Sequence, residues 1–154
     1  MDKKNLPAAI EDLNQTETVR FLFDIFHRNM LHHALWFAET VHQMGTEEAL
    51  VAMDEALGKG LDIQIRRFSK VLGFPLKDGL PEALTSMPKE KLLALVEAVS
   101  ANWLATDGVW FQAVEFAHGM NDAKRCNDSC WAHFSPFEAW SIKRFLELPE
   151  NPGL

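Results

Sequence analysis

Along most of this chain apolar side chains recur at spacings of three and four. From about Thr16 to Met44, Val19, Phe23, Phe26, Met30, Phe37, Val41 and Met44 trace one stripe, the period of an amphipathic α-helix. His33 fills the missing step in that stripe. Asn14 or Thr16 can cap the start, and Gly45 can adopt the left-handed conformation that closes the end. Thr46-Glu47-Glu48 begins a second helix with acids in its first turn, where the helix dipole favours them. It is expected to end near Leu57, interrupted by Gly58 and Gly60, and a third helix runs from about Leu61 to Leu72 and stops at Gly73. Pro75, Gly79, Pro81 and Pro88 then punctuate a linker over 74–88, within which Pro81-Glu82-Ala83-Leu84 can form one helical turn. After it the order repeats: a long helix from Lys89 to His118, Gly119 as its stop, a second helix from Asn121 to about Ala132, and a third announced by Ser135-Pro136-Phe137-Glu138, with a cap, a proline at the first helical position and a glutamate three after the cap. Strand signals are nearly absent, with no tyrosine and no sustained period-two alternation.

The two halves resemble each other in residues as well as in order. Trp36-Phe37, Gly45, Ala49 and Asp54 reappear 74 positions later as Trp110-Phe111, Gly119, Ala123 and Asp128. Such self-similarity marks an internal repeat, and each copy then serves as a control for the other. The fold is therefore expected to be all-α: one domain over 1–154, with two similar three-helix units, about 16–73 and about 89–148, packed into one bundle about a pseudo-twofold axis.

Composition narrows the function classes. The 154 residues are 47% apolar, enough for a globular core. With 22 acidic against 15 basic side chains the formal charge is −7, and no basic patch exceeds Arg66-Arg67 or Lys143-Arg144, which argues against a nucleic-acid partner. No unbroken apolar run approaches the roughly 18–20 residues that span a bilayer, and the first residues lack the apolar core of a secretion signal. The expectation is a cytoplasmic protein with no membrane partner. Its two cysteines, Cys126 and Cys130, suit a reducing compartment better than a disulfide framework.

Candidate chemistry is sparse. Asp107 shares a helix face with Trp103, Trp110 and Val114, where a carboxylate is costly unless it is paired. Its counterpart in the repeat is His33. Equivalent residues of a duplicated bundle approach one another near the pseudo-axis, so His33 and Asp107 are expected to face each other across a central pocket lined by Trp103, Trp110, Phe37 and Phe111. Two polar residues that merely satisfy each other inside a core are the plainer alternative.

Glu39-Thr40-Val41-His42 and Glu115-Phe116-Ala117-His118 both have the Glu-x-x-His spacing of di-iron bundles. They lie 76 apart rather than 74, so they are out of phase by roughly 200° of helical rotation, and solvated or locally paired residues near the helix ends explain them better. Cys126, Cys130 and His133 fall within roughly 60° of one helix face, half of a thiolate and imidazole site for a transition metal such as zinc or iron. The counterparts of the two cysteines are Ala52 and Ala56, so small-residue packing is the alternative. An ion pair from Asp54 or Asp128 to the basic pairs that follow would brace the second helix against the third.

The segments Asn102-Trp103-Leu104, Trp110 to Glu115, Gly119 to Trp131, Phe134 to Ala139 and Ile142 to Leu146 together resemble an uncharacterised bacterial family known only as cytosolic proteins, a domain of unknown function. The resemblance is close over about 50 residues of the second half and looser in the Trp-Phe segment of the first. Some relatives are similar to 2-aminothiazoline-4-carboxylate hydrolases. Members of that family continue into a cysteine-rich region resembling a metal or iron–sulfur site, a pattern from which this sequence departs at Leu154.

Three functions follow as expectations. The first is binding of a small molecule or metal in the pocket between the repeats. The second is metal-assisted hydrolysis of a small amide or amidine, with Asp107, His33 and Glu115 as catalytic candidates. The third is a structural or dimerisation module, with a homodimer as its partner state.

Overall fold

The computed structural model describes residues 9–149. A 3₁₀ turn at Ile10–Asp12 leads into α1 (Gln15–Met44) and α2 (Thr46–Leu72). The short strands β1 (Leu76–Lys77) and β2 (Leu80–Pro81) and the single turn α3 (Glu82–Thr85) follow, then α4 (Lys89–His118) and α5 (Met120–Leu146). The protein is all-α apart from the hairpin. It divides into two compact units, Met1–Glu55 and Ala56–Leu154, with the boundary inside α2.

In the first unit, Asn14 caps α1 through a reciprocal box: its Oδ1 accepts from the Glu17 backbone N–H and Glu17 accepts from the Asn14 N–H, each at 3.0 Å. Helix α1 stops at Gly45, whose φ of 90° and ψ of 167° lie in a region open essentially to glycine alone. The Gly45 N–H closes onto Val41 O, and its own carbonyl accepts from Ala49 to start α2. One residue therefore ends one helix and begins the next. The half-buried positions of α1 are Phe21, Phe26, His33, Phe37, Thr40 and Val41, whereas Val19, Phe23, Met30 and Met44 of the expected stripe are exposed.

The second unit repeats this corner. Helix α4 stops at Gly119 (φ 93°, ψ 165°), whose N–H bonds Glu115 O and whose carbonyl accepts from Ala123. Both long helices have 30 residues and both that follow have 27, and every boundary recurs at the interval of 74 seen in the residues. Ala49 and Ala123, each 1% exposed, are the buried residues among those described, and they hold the same step in the two corners. The half-buried steps also match: His33 with Asp107, Phe37 with Phe111, Thr40 with Val114, Val41 with Glu115, and Met53 with Asn127.

The elements differ from the expected ones at their joints. The expected three-helix units are two-helix corners, because Thr46–Leu72 and Met120–Leu146 are each continuous. Gly58 and Gly60 retain their N–H donors, so they weaken α2 by about 1 kcal/mol each without ending it. Pro136 lies inside α5; it removes one donor, and the helix runs on through the aromatic contacts of Phe134, Phe137 and Trp140. The linker contains a hairpin, Leu76 opposite Pro81 and Lys77 opposite Leu80. It turns at Asp78 (φ 52°) and Gly79 (φ 81°), both in the positive-φ region of a two-residue type I′ turn.

The expected brace from Asp128 to the later basic pair is replaced by local pairing of Asp128 with Lys124, and Arg66 pairs with Asp62 one turn earlier at 2.9 Å. Finally, α4 is long and apolar enough to cross a membrane by length and composition, although none of that stretch is buried. Its apolar residues are interspersed with Ser100, Asn102 and Thr106, so no unbroken run reveals it.

Candidate functional site

Helix α5 folds back at Gly119 and packs along α4. The contact brings Ala123 and Asn127 of α5 beside Asp107, Phe111 and Val114 of α4, and a groove of about 320 Å³ opens there. Trp103, Thr106, Asp107, Trp110, Phe111 and Val114 line one wall, and Ala123, Cys126, Asn127 and Cys130 the other. The alanine allows the helices to approach closely, and the tryptophans one side of the groove.

Asp107 is half-buried and accepts from Asn127 Nδ2 at 3.2 Å, with its second oxygen at 3.5 Å. A neutral amide thus donates to this carboxylate, and no basic side chain belongs to the groove lining. Below it, Trp103 meets Trp131 edge-on at 5.0 Å and stacks on Phe134 at 5.9 Å. The aromatic column continues through Phe137 to Trp140, over which Arg144 lies at 5.4 Å.

Of the expected pocket residues, Trp103, Trp110, Phe111 and Asp107 come together in this groove. The groove lies within one helix pair. Phe37 and His33 belong to the first unit, both half-buried on α1. Glu115 is half-buried one turn beyond Phe111 and is not part of the lining. Cys126 and Cys130 line the groove as free, exposed thiols, and His133 is exposed on α5. Among the described residues no three His, Cys, Asp or Glu side chains are gathered closely enough to hold a metal ion, so Cys126, Cys130 and His133 do not form such a group.

Asn127 and Thr106 line the groove and Trp131, Phe134, Phe137 and Trp140 form the column beside it; none of them is among the residues expected from the sequence. The column has a readable signal, aromatic residues three apart from Trp131 to Trp140, which places neighbours on adjoining parts of a helix surface.

A model of a family of unknown function (DUF6125) matches residues 85–154. The matched stretch is a little under half of the chain. It contains the whole α4–α5 pair, and with it the groove and the segments from Asn102 to Leu146 that resemble an uncharacterised family. No curated protein matches the chain. No solved structure matches it either.

The motif Glu39–His42 is satisfied locally. His42 Nδ1 lies 3.5 Å from Glu39 Oε1, which also accepts from Gln43 Nε2 at 2.6 Å. The Gln43 hydrogen bond first, and His42 second, hold the Glu39 carboxyl below the usual carboxylate range. Trp36 in turn donates from Nε1 to His32 Nε2 at 3.1 Å on the exposed surface of α1.

Proposed function

We propose that the groove between α4 and α5 binds a small organic cation, a primary amine or amidine with a compact apolar body. The single observation behind this reading is the Asp107 carboxylate, half-buried in a groove it shares with Trp103, Trp110 and Phe111, with the neutral Asn127 amide donating to it. A carboxylate beside aromatic faces attracts a cation twice, by charge-assisted hydrogen bonding and by the ring quadrupole. The groove is at the small end of ligand sites, suited to an occupant of one ring or a short branched chain. Asn127 has the positioning role, holding the carboxylate so that a bound ammonium or amidinium finds it oriented.

The test is calorimetric titration with benzamidine, and with benzamide as its neutral isostere. Benzamidine is expected to bind, benzamide to bind much more weakly, and Asp107→Asn to weaken benzamidine by roughly 10- to 100-fold, the worth of one charged hydrogen bond. Equal binding of the two compounds, or an Asp107→Asn protein that binds benzamidine as before, would sink the reading.

We also propose that the two helix corners descend from one duplicated unit. The shared interval of 74, the paired glycines Gly45 and Gly119 and the paired alanines Ala49 and Ala123 support this. On that reading the cation groove is a feature of the second copy, since His33 and Met53 hold the steps of Asp107 and Asn127 in the first.

A further inference from the structure

Helix α4 presents apolar side chains well beyond the strip that α5 covers, and α5 reaches past that strip only at Trp103, through Trp131 and Phe134. The face turned to α5 contains Asp107, Phe111 and Val114. Roughly 90° around the helix lies a second stripe, Leu92, Val96, Val99, Trp103, Thr106, Trp110, Ala113 and Ala117, spaced alternately by four and three. That is the seven-residue repeat of a coiled-coil seam. Val96, Val99 and Trp110 are open to solvent, at 56%, 61% and 69% exposed, Trp103 is 39% exposed beside its α5 partners, and Leu92 is half-buried.

We propose that this seam pairs with the same seam of a second copy, the two α4 helices running antiparallel about a twofold axis between Leu104 and Ala105. The argument is self-complementarity. In that register Leu92 falls opposite Ala117 of the other copy, Val96 opposite Ala113, Val99 opposite Trp110 and Trp103 opposite Thr106. Each pair sets a larger side chain against a smaller one, the arrangement that interdigitates without voids. None of the carboxylates Glu90, Glu97, Asp107 and Glu115 falls opposite another.

The corresponding stripe of α1, one repeat earlier, is Thr18, Leu22, Ile25, Asn29, His32, Trp36, Glu39 and Gln43. Five of these eight, Thr18, Asn29, His32, Glu39 and Gln43, would place polar or charged groups in a seam, so the pairing belongs to α4. With Leu95 and Val109 at its edges the stripe offers six large apolar side chains per copy. At on the order of 100 Å² apiece, both copies together cover about 1,200 Å², the lower bound of a specific interface. Because Trp103, Thr106 and Trp110 also rim the groove, the second copy would roof it. The pairing itself does not depend on what the groove binds.

Sedimentation of the full chain at micromolar concentration is expected to give twice the 17.5 kDa of one copy. Trp110→Glu and Val99→Glu are each expected to raise the dimer dissociation constant at least about 30-fold, while Trp36→Glu, the counterpart of the first in α1, leaves it unchanged. A folding defect is separated from lost pairing by a cross-link. In a Cys126→Ser, Cys130→Ser background, Val99→Cys chains mixed with Trp110→Cys chains should oxidise to a covalent mixed dimer, and neither should do so alone. Three results would overturn the proposal: a monomer throughout, a Val99→Cys chain that cross-links to itself, and a chain that leaves the monomer state only in detergent or lipid vesicles.

Discussion

Asp107 shows what a single position can and cannot announce. Its neighbours at spacings of three and four made it a carboxylate on a tryptophan-bearing face, and the groove it lines agrees with that reading. Its partner Asn127 lies 20 positions away on another helix, and nothing local selects it; the return of α5 at Gly119 does. Glu39 is the opposite case, since both its partners lie within one turn of the same helix. Its lowered pKa means that the Gln43 and His42 contacts favour the charged form. Their contribution is therefore present above the ordinary carboxylate range and is lost as pH falls through the depressed value. Gln43→Ala is expected to return Glu39 toward the ordinary range in a carboxyl NMR titration; an unchanged titration would mean the hydrogen bond is not made in solution.

Among the elements, the long helices were legible because their period is a local property of the chain, and the start at Lys89 and the stops at Gly45 and Gly119 were placed correctly. Less legible were the joints. Gly58, Gly60 and Pro136 do not end the helices that contain them, because the flanking turns are well formed. The hairpin at Asp78-Gly79 has strands of two residues each, too short for a period-two pattern to show. These roles can be measured by thermal or urea unfolding. Gly45→Ala and Gly119→Ala force a side chain into a glycine-only conformation and are expected to cost about 1–3 kcal/mol. Gly58→Ala and Gly60→Ala meet nothing within 4 Å of the added carbon and are expected to gain about 0.5–1 kcal/mol each. A stabilised Gly119→Ala protein would show that the corner does not need its glycine.

For the molecule as a whole, the burial is thin: Ala49 and Ala123 are the buried residues among those described, while Trp36, Trp110 and Phe116 are 65%, 69% and 81% exposed. Folding free energy rests mainly on apolar area removed from water, so much of this chain's stability is expected to come from its pairing with a second copy. Its melting temperature should then rise with protein concentration, by mass action, and scanning calorimetry over a wide dilution series reads that directly. A concentration-independent melting temperature would show that the single chain is stable alone.

Periodicity and composition decide the all-α class and the lengths of α1 and α4, because helix formation depends on residues three and four apart, and the matching residues of the two halves give the 74-residue interval. The choice of face is different in kind. Whether Asp107 meets Asn127, whether Trp103 joins the column to Trp140, and which side of α4 stays open all depend on the backbone path through one glycine corner. That path sets contacts between helices that no local spacing encodes.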